Sequence, residues 1–265
     1  MRPKFVSRIL AAATVAAACS SAQAVPVVVD LSNENPTSGV INGALFEWVS
    51  NQSTGTGVLY PFLSVKSDKG VTEGFNTDAL DQLDNARSGA PSTNSGWTRS
   101  LLHSMVPIVE KGGQSFYQLL LDVNEPGGSK SLISLSGLKV YRTDDATLTN
   151  AARLSLTALW DMDAQGDSRV ELNSRLNSGS GSGDMFAYIP TAGILGASGQ
   201  YFVLYSQFGT PNPADAGGFE EWSILQGQNP PPPPPPIPEP ETYALMLVGL
   251  GAVGLMARRR KARGG

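Results

Sequence analysis

The chain has one cysteine and one histidine in 265 residues. That scarcity removes whole classes of chemistry. A Cys–His nucleophilic pair needs both residues in the mature protein, and a multi-histidine zinc site needs several such ligands. Cys19 lies inside a stretch that reads as a removable leader, so the mature body is expected to hold no disulfide. No G-x-S-x-G turn frames any serine, which leaves His103 outside the usual setting of a Ser–His–Asp hydrolase. It alternates with Leu102 and Met105 in a strand pattern and reads as an ordinary surface or half-buried histidine. A repeat of fixed period is missing too, which argues against a solenoid or propeller. Basic charge is short as well: between Val25 and Pro236, 11 Lys and Arg stand against 21 Asp and Glu, a net charge of −10. A body this acidic lacks the basic face that nucleic acid requires.

What is present is concentrated at the two ends. Arg2, Lys4 and Arg8 precede an apolar run at 9–18, too short to span a bilayer stably, and Ala22-Gln23-Ala24 supplies a small-x-small cleavage site. This order reads as a secretory signal peptide, residues 1–24, that engages the Sec export machinery. Cys19 after Ala16-Ala17-Ala18 offers a rival reading as a lipidated cysteine. Such sites usually carry a larger aliphatic residue three positions earlier, and a C-terminal anchor would make a lipid redundant. At the other end, residues 229–237 form a polyproline linker, extended at roughly 3 Å per residue, enough to hold a domain about 20 Å from a membrane. The triplet Pro238-Glu239-Pro240 follows, then an apolar stretch at 243–257, then Arg258, Arg259, Arg260 and Lys261. Closely spaced arginines are costly to translocate, so the chain is expected to end inside with its body outside. The fifteen residues of 243–257 make about 22 Å of helix, short of the roughly 30 Å bilayer core. A marginal single transmembrane helix suits a temporary anchor.

This triplet, apolar stretch and basic end closely resemble the PEP-CTERM sorting signal of Gram-negative bacteria that make exopolysaccharide, over residues 238–265. The resemblance implies a processing partner, an exosortase-type membrane protease acting at Pro238, Glu239 and Pro240. It also implies a location: membrane-anchored through the C-terminus, then cell surface or extracellular matrix. More loosely, 73–78, 119–125, 179–186 and 218–222 resemble the β-rich domains of other proteins with this tail, a likeness that brings no assigned activity.

Residues 25–228 suffice for one sizeable domain. Short β-branched and aromatic runs separated by Gly, Ser, Asn and Asp clusters predict strands at 25–31, 44–49, 57–65, 99–109, 115–123, 132–141, 153–160, 169–176, 185–189, 200–207 and 219–225. In 132–141, Ile133, Leu135, Gly137, Lys139 and Tyr141 should share one face. A single short helix is expected at 77–87, with Asp78 as its cap. The expected fold is all-β, a two-sheet antiparallel sandwich of jelly-roll type.

Asp161, Asp163 and Asp167 with Gly166 look like the front of a calcium loop, but Leu172 stands where a bidentate glutamate belongs. An acidic hairpin between strands is the plainer reading. The glycine-rich 179–183 leads into Asp184 and a strand, so it is a connection and not a phosphate loop. Glu110, Asp122, Glu125, Asp161 and Glu220 could in principle supply a glycosidase carboxylate pair, although no local motif joins them. Trp48, Tyr60, Trp97, Tyr117, Trp160, Tyr201, Tyr205 and Trp222 could form a sugar-stacking face, but most are expected in the core. The sequence therefore points to an exported surface or matrix-associated protein without catalytic activity or cofactor. An exopolysaccharide-binding module is the runner-up and a secreted carboxylate-pair hydrolase the third reading.

Overall fold

A computed structural model describes residues 25–33, 38–52, 59–66, 70–79, 83, 97–126, 128–177, 183–209 and 218–226. The leader, the proline linker, the sorting segment and the apolar stretch 243–257 lie outside them. No helix among the described residues is long and apolar enough to cross a membrane.

The body is all-β, in two seven-stranded sheets. The first contains β1 (Val28–Asp30), β5 (Thr72–Phe75), β6 (Leu101–Leu102), β9 (Leu132–Thr143), β10 (Trp160–Asp161), β11 (Arg169–Asn173) and β13 (Tyr201–Phe208). Its order is β1-β11-β9-β13-β5, with β10 on β9 and β6 on β13. The second contains β2 (Ser38–Ile41), β3 (Ala44–Gln52), β4 (Leu59–Val65), β7 (Ile108–Lys111), β8 (Gln114–Val123), β12 (Gly183–Pro190) and β14 (Glu220–Leu225), in the order β2-β3-β12-β8-β14-β4 with β7 on β8. Every pairing is antiparallel except β1 with β11. One core serves both sheets: Leu135, Leu138, Val140, Phe202 and Leu204 from the first are buried in the same cluster as Phe46, Leu119, Leu121, Met185 and Trp222 from the second.

Four expectations need correction. The strand expected at 99–109 is broken by a 3-10 turn, His103–Met105. β6 belongs to the first sheet and β7 to the second, so this segment crosses between sheets, and Pro107 has no amide to continue a ladder. The strand expected at 153–160 begins instead as helix α1 (Asn150–Leu154), whose Thr149 hydroxyl accepts the amide of Ala152. Of the helix expected at 77–87, 80–82 and 84–87 lie outside the described residues; Thr77 to Ala79 are not helical, and the Asp78 carboxylate accepts from the amide and hydroxyl of Ser100, at 2.8 Å each. Finally, the uniform alternation in β9 fails at Ser136. Pairing with β13 jumps there from Gly137–Gln207 to Leu135–Phe208. This bulge inverts the phase, so Ile133 and Leu135 face the core before it, and Leu138 and Val140 after it. Lys139 and Tyr141 are thereby turned to the outside of the sheet.

Gly183 and Gly218 are among the glycines that mark close approaches. A Cβ on Gly183 would stand 2.5 Å from a Leu120 methyl, and one on Gly218 would stand 2.2 Å from the Asn124 carbonyl oxygen.

Candidate functional site

The phase inversion in β9 helps build a cavity on the outer side of the first sheet. Its floor is the outer face of the first sheet, where Glu73 of β5, Tyr205 of β13 and Lys139 and Tyr141 of β9 come together. Its wall is the 150–156 segment, which contributes Asn150, Arg153, Leu154 and Leu156. Its volume is about 370 Å³, and it opens to solvent. Phe75, Tyr141, Leu148, Val203 and Tyr205 form a second small core beneath the wall. Arg153 is only 6% exposed. Its guanidinium lies over the Tyr205 ring at 4.4 Å and the Phe75 ring at 5.3 Å. Nε and Nη2 donate to Asn150 Oδ1 at 3.1 and 2.8 Å, while Nη1 reaches the Tyr141 hydroxyl only at 3.4 Å. The Tyr205 hydroxyl donates to Glu73, and burial, followed by that carboxylate, pushes its pKa upward. Lys139 donates to Asp161 at 2.8 Å. Sequence reasoning missed Arg153 because it lay in an expected strand; the signal was Thr149, a capping residue at the start of a short helix.

The calcium-like stretch is not a hairpin. β10 and β11 run in the same direction along one edge of β9, pairing with Lys139–Val140 and Leu132–Leu135, so 162–168 bulges out between two halves of an interrupted strand. Its carboxylates stabilise the bulge. Asp161 accepts from Lys139 and from the amide of Asp163 at 3.0 Å, and Asp163 accepts from the amide of Ser168 at 3.0 Å. Burial raises the pKa of Asp163. Among the described residues no cluster of three or more His, Cys, Asp or Glu could hold a metal ion. Millimolar calcium is therefore expected to raise the melting temperature no more than equal magnesium, whereas a native-state site at one hundred times its Kd would add about 2.7 kcal/mol. A calcium-selective rise that disappears in Asp161→Ala would overturn this.

The other residues singled out are dispersed. His103 is half-buried, 2.5 Å from the Tyr117 hydroxyl and stacked on Phe202; burial, then Arg142, lower its pKa to about 4, so it is neutral at physiological pH. Glu110 lies on β7 within reach of the Ser115 hydroxyl. Asp122 pairs with Glu221 across β8 and β14, while Glu220, the next residue, points to the opposite side. One step beyond the Met185–Leu121 pair, Asp184 stands beside Asp122. Asp184 is 2% exposed and accepts the Val123 amide at 2.7 Å; burial foremost, with Asp122 adding to it, pushes its pKa up to about 8. None of the five glycosidase candidates lines the cavity. Of the aromatics, Tyr117, Trp160, Tyr205 and Trp222 are buried, Trp48 and Tyr60 pack against the core, and Trp97 is 50% exposed. Tyr201, on β13, is partly exposed.

Ala22 and Ala24, and Pro238 to Arg260, lie outside the described residues. Residues 236–261 match the family model of the PEP-CTERM protein-sorting motif. The motif implies export, anchoring in the membrane before processing, and processing there by an exosortase. No curated protein and no solved structure matches the chain.

Proposed function

We propose that this is a non-catalytic surface protein: a jelly-roll body exported behind a signal peptide cut after Ala24, held briefly by the helix 243–257, and delivered to the cell surface or matrix once the tail is processed at Pro238-Glu239-Pro240. The sorting motif at 236–261 carries the reading. Arg258, Arg259 and Arg260 would keep the tail's end cytoplasmic until that step.

Strand order supports the jelly-roll part. The strands β4, β5, β8, β9, β11, β12, β13 and β14 change sheet at every step but one, from β9 to β11, where the chain stays in the first sheet. They yield facing orders β4-β14-β8-β12 and β5-β13-β9-β11, the connectivity of two interlocked Greek keys. β1, β2 and β3 extend the edges, and β1 adds the parallel pair. Supporting a non-catalytic body, the cavity holds one carboxylate, Glu73, already engaged by Tyr205.

The double substitution Pro238→Ala with Glu239→Ala tests the reading. In cells carrying the processing protease, the variant should accumulate uncut in the membrane fraction, with its arginine cluster visible by mass spectrometry. Processing indistinguishable from the parent chain would refute it.

A further inference from the structure

We propose that the cavity over the first sheet binds a small hydroxylated carboxylate, with Arg153 as the residue that takes the carboxylate group. This goes beyond the sorting reading and does not depend on it, since it concerns only the folded body.

The argument begins with an uncompensated charge. Arg153 is 6% exposed, and among the described residues it makes no ion pair; the pairs formed are Lys111–Glu47, Lys139–Asp161 and Arg169–Glu171. A guanidinium withdrawn from water is costly unless an opposite charge meets it. Its hydrogen bonding is also incomplete. Nε and Nη2 share a single acceptor, Asn150 Oδ1, and the contact from Nη1 to Tyr141 is long. Among the described residues, five N–H groups therefore meet two acceptors, and the group borders a cavity. The Tyr205 and Phe75 rings hold the guanidinium plane in place, so a planar anion would meet a preorganised fork.

The shape and remaining lining narrow the ligand. About 370 Å³ lies at the small end of the roughly 300–1,000 Å³ range of small-molecule pockets. That volume suits a compact molecule. Glu73 and Tyr205 on the floor and Asn150 on the wall make the rest of the lining polar, which suits a hydroxylated ligand although each of the three already has a partner within the protein. Glu73 would repel a second negative charge, which favours one carboxylate over a polyanion. Leu154, 69% exposed, stands at the rim.

The test is isothermal titration of the full chain with glucuronate, glucose and inorganic sulfate in parallel. Glucuronate should bind with a saturable signal, and glucose and sulfate should bind at least about tenfold more weakly, the loss expected for a missing charged hydrogen-bond pair. Arg153→Lys keeps the charge but loses the fork and should weaken glucuronate by a similar factor. Because Arg153 is buried, Leu154→Trp serves as a second variant, blocking the mouth from an exposed position; it should lose glucuronate binding at unchanged melting temperature. Absence of glucuronate binding, equal binding of glucose or sulfate, or unaltered affinity in a folded Leu154→Trp variant would each overturn the proposal.

Discussion

Replacing Asp184 with asparagine is expected to abolish most of the body's loss of stability between pH 4 and pH 8. Asp184 is buried on β12 beside Asp122, and its folded pKa stands near 8 against about 3.9 for an exposed aspartate. The folded state thus holds a proton that the unfolded chain releases. The associated stability is fully present below about pH 4 and falls as pH rises towards the folded pKa of about 8, by about 1.4 kcal/mol per pH unit. Over the whole window the loss is on the order of 5 kcal/mol, a large share of the roughly 5–15 kcal/mol typical of a folded protein.

Asparagine preserves an oxygen to accept the Val123 amide while offering an N–H₂ where the protonated acid has its O–H. Urea unfolding at pH 4, 6 and 8.5 should therefore give similar midpoints for both proteins at the lowest pH and a clearly higher midpoint for Asp184→Asn at the highest. Parallel curves would mean that Asp184 is ionised in the folded state and that the carboxylate row is solvated.

How much of this arrangement the sequence disclosed depends on the interaction concerned. Strands such as β8 and β13, buried on both faces along most of their length, were legible as runs rich in aromatic and aliphatic residues set between turn residues. β2 was missed, since Ser38 and Gly39 have weak strand preference, although Asn42 and Gly43 (φ 44° and 78°) form the two-residue hairpin turn that the Asn-Gly pair favours. The bulge at Ser136 carries no comparable local signal, because it is fixed by pairing with Gln207 and Phe208, some seventy residues away. The cavity depends on that bulge, so its floor was hidden even though Tyr205 had been noticed. The acidic bulge between β10 and β11 misled in a similar way. Turn chemistry was visible in Asp161, Asp163 and Gly166, but which strand each flank would join was not. Asp122 and Asp184 were separately visible, and only the register of β12 on β8 makes them neighbours.

The aromatic residues provide the second large effect. Trp222 is fully buried, pairs with Leu121 of β8 and Leu63 of β4, and belongs to the core shared by both sheets. Trp222→Ala should cost about 3–5 kcal/mol, the usual range for deleting a core aromatic. At roughly 2–4 °C per kcal/mol for a body of this size, the melting temperature should fall by about 6–20 °C. Trp222→Phe should cost much less, because it keeps an aromatic ring in the core and removes an indole N–H that has no hydrogen-bond partner among the described residues. Trp97, half exposed, should tolerate alanine within about 0.5 kcal/mol. The two tryptophans thus separate a core role from a surface role by thermal unfolding alone. A sugar-stacking face would reverse the order, with Trp222→Ala thermally silent. That result would dislodge β14 from its place between β8 and β4, and with it the paired sheets on which the cavity floor rests.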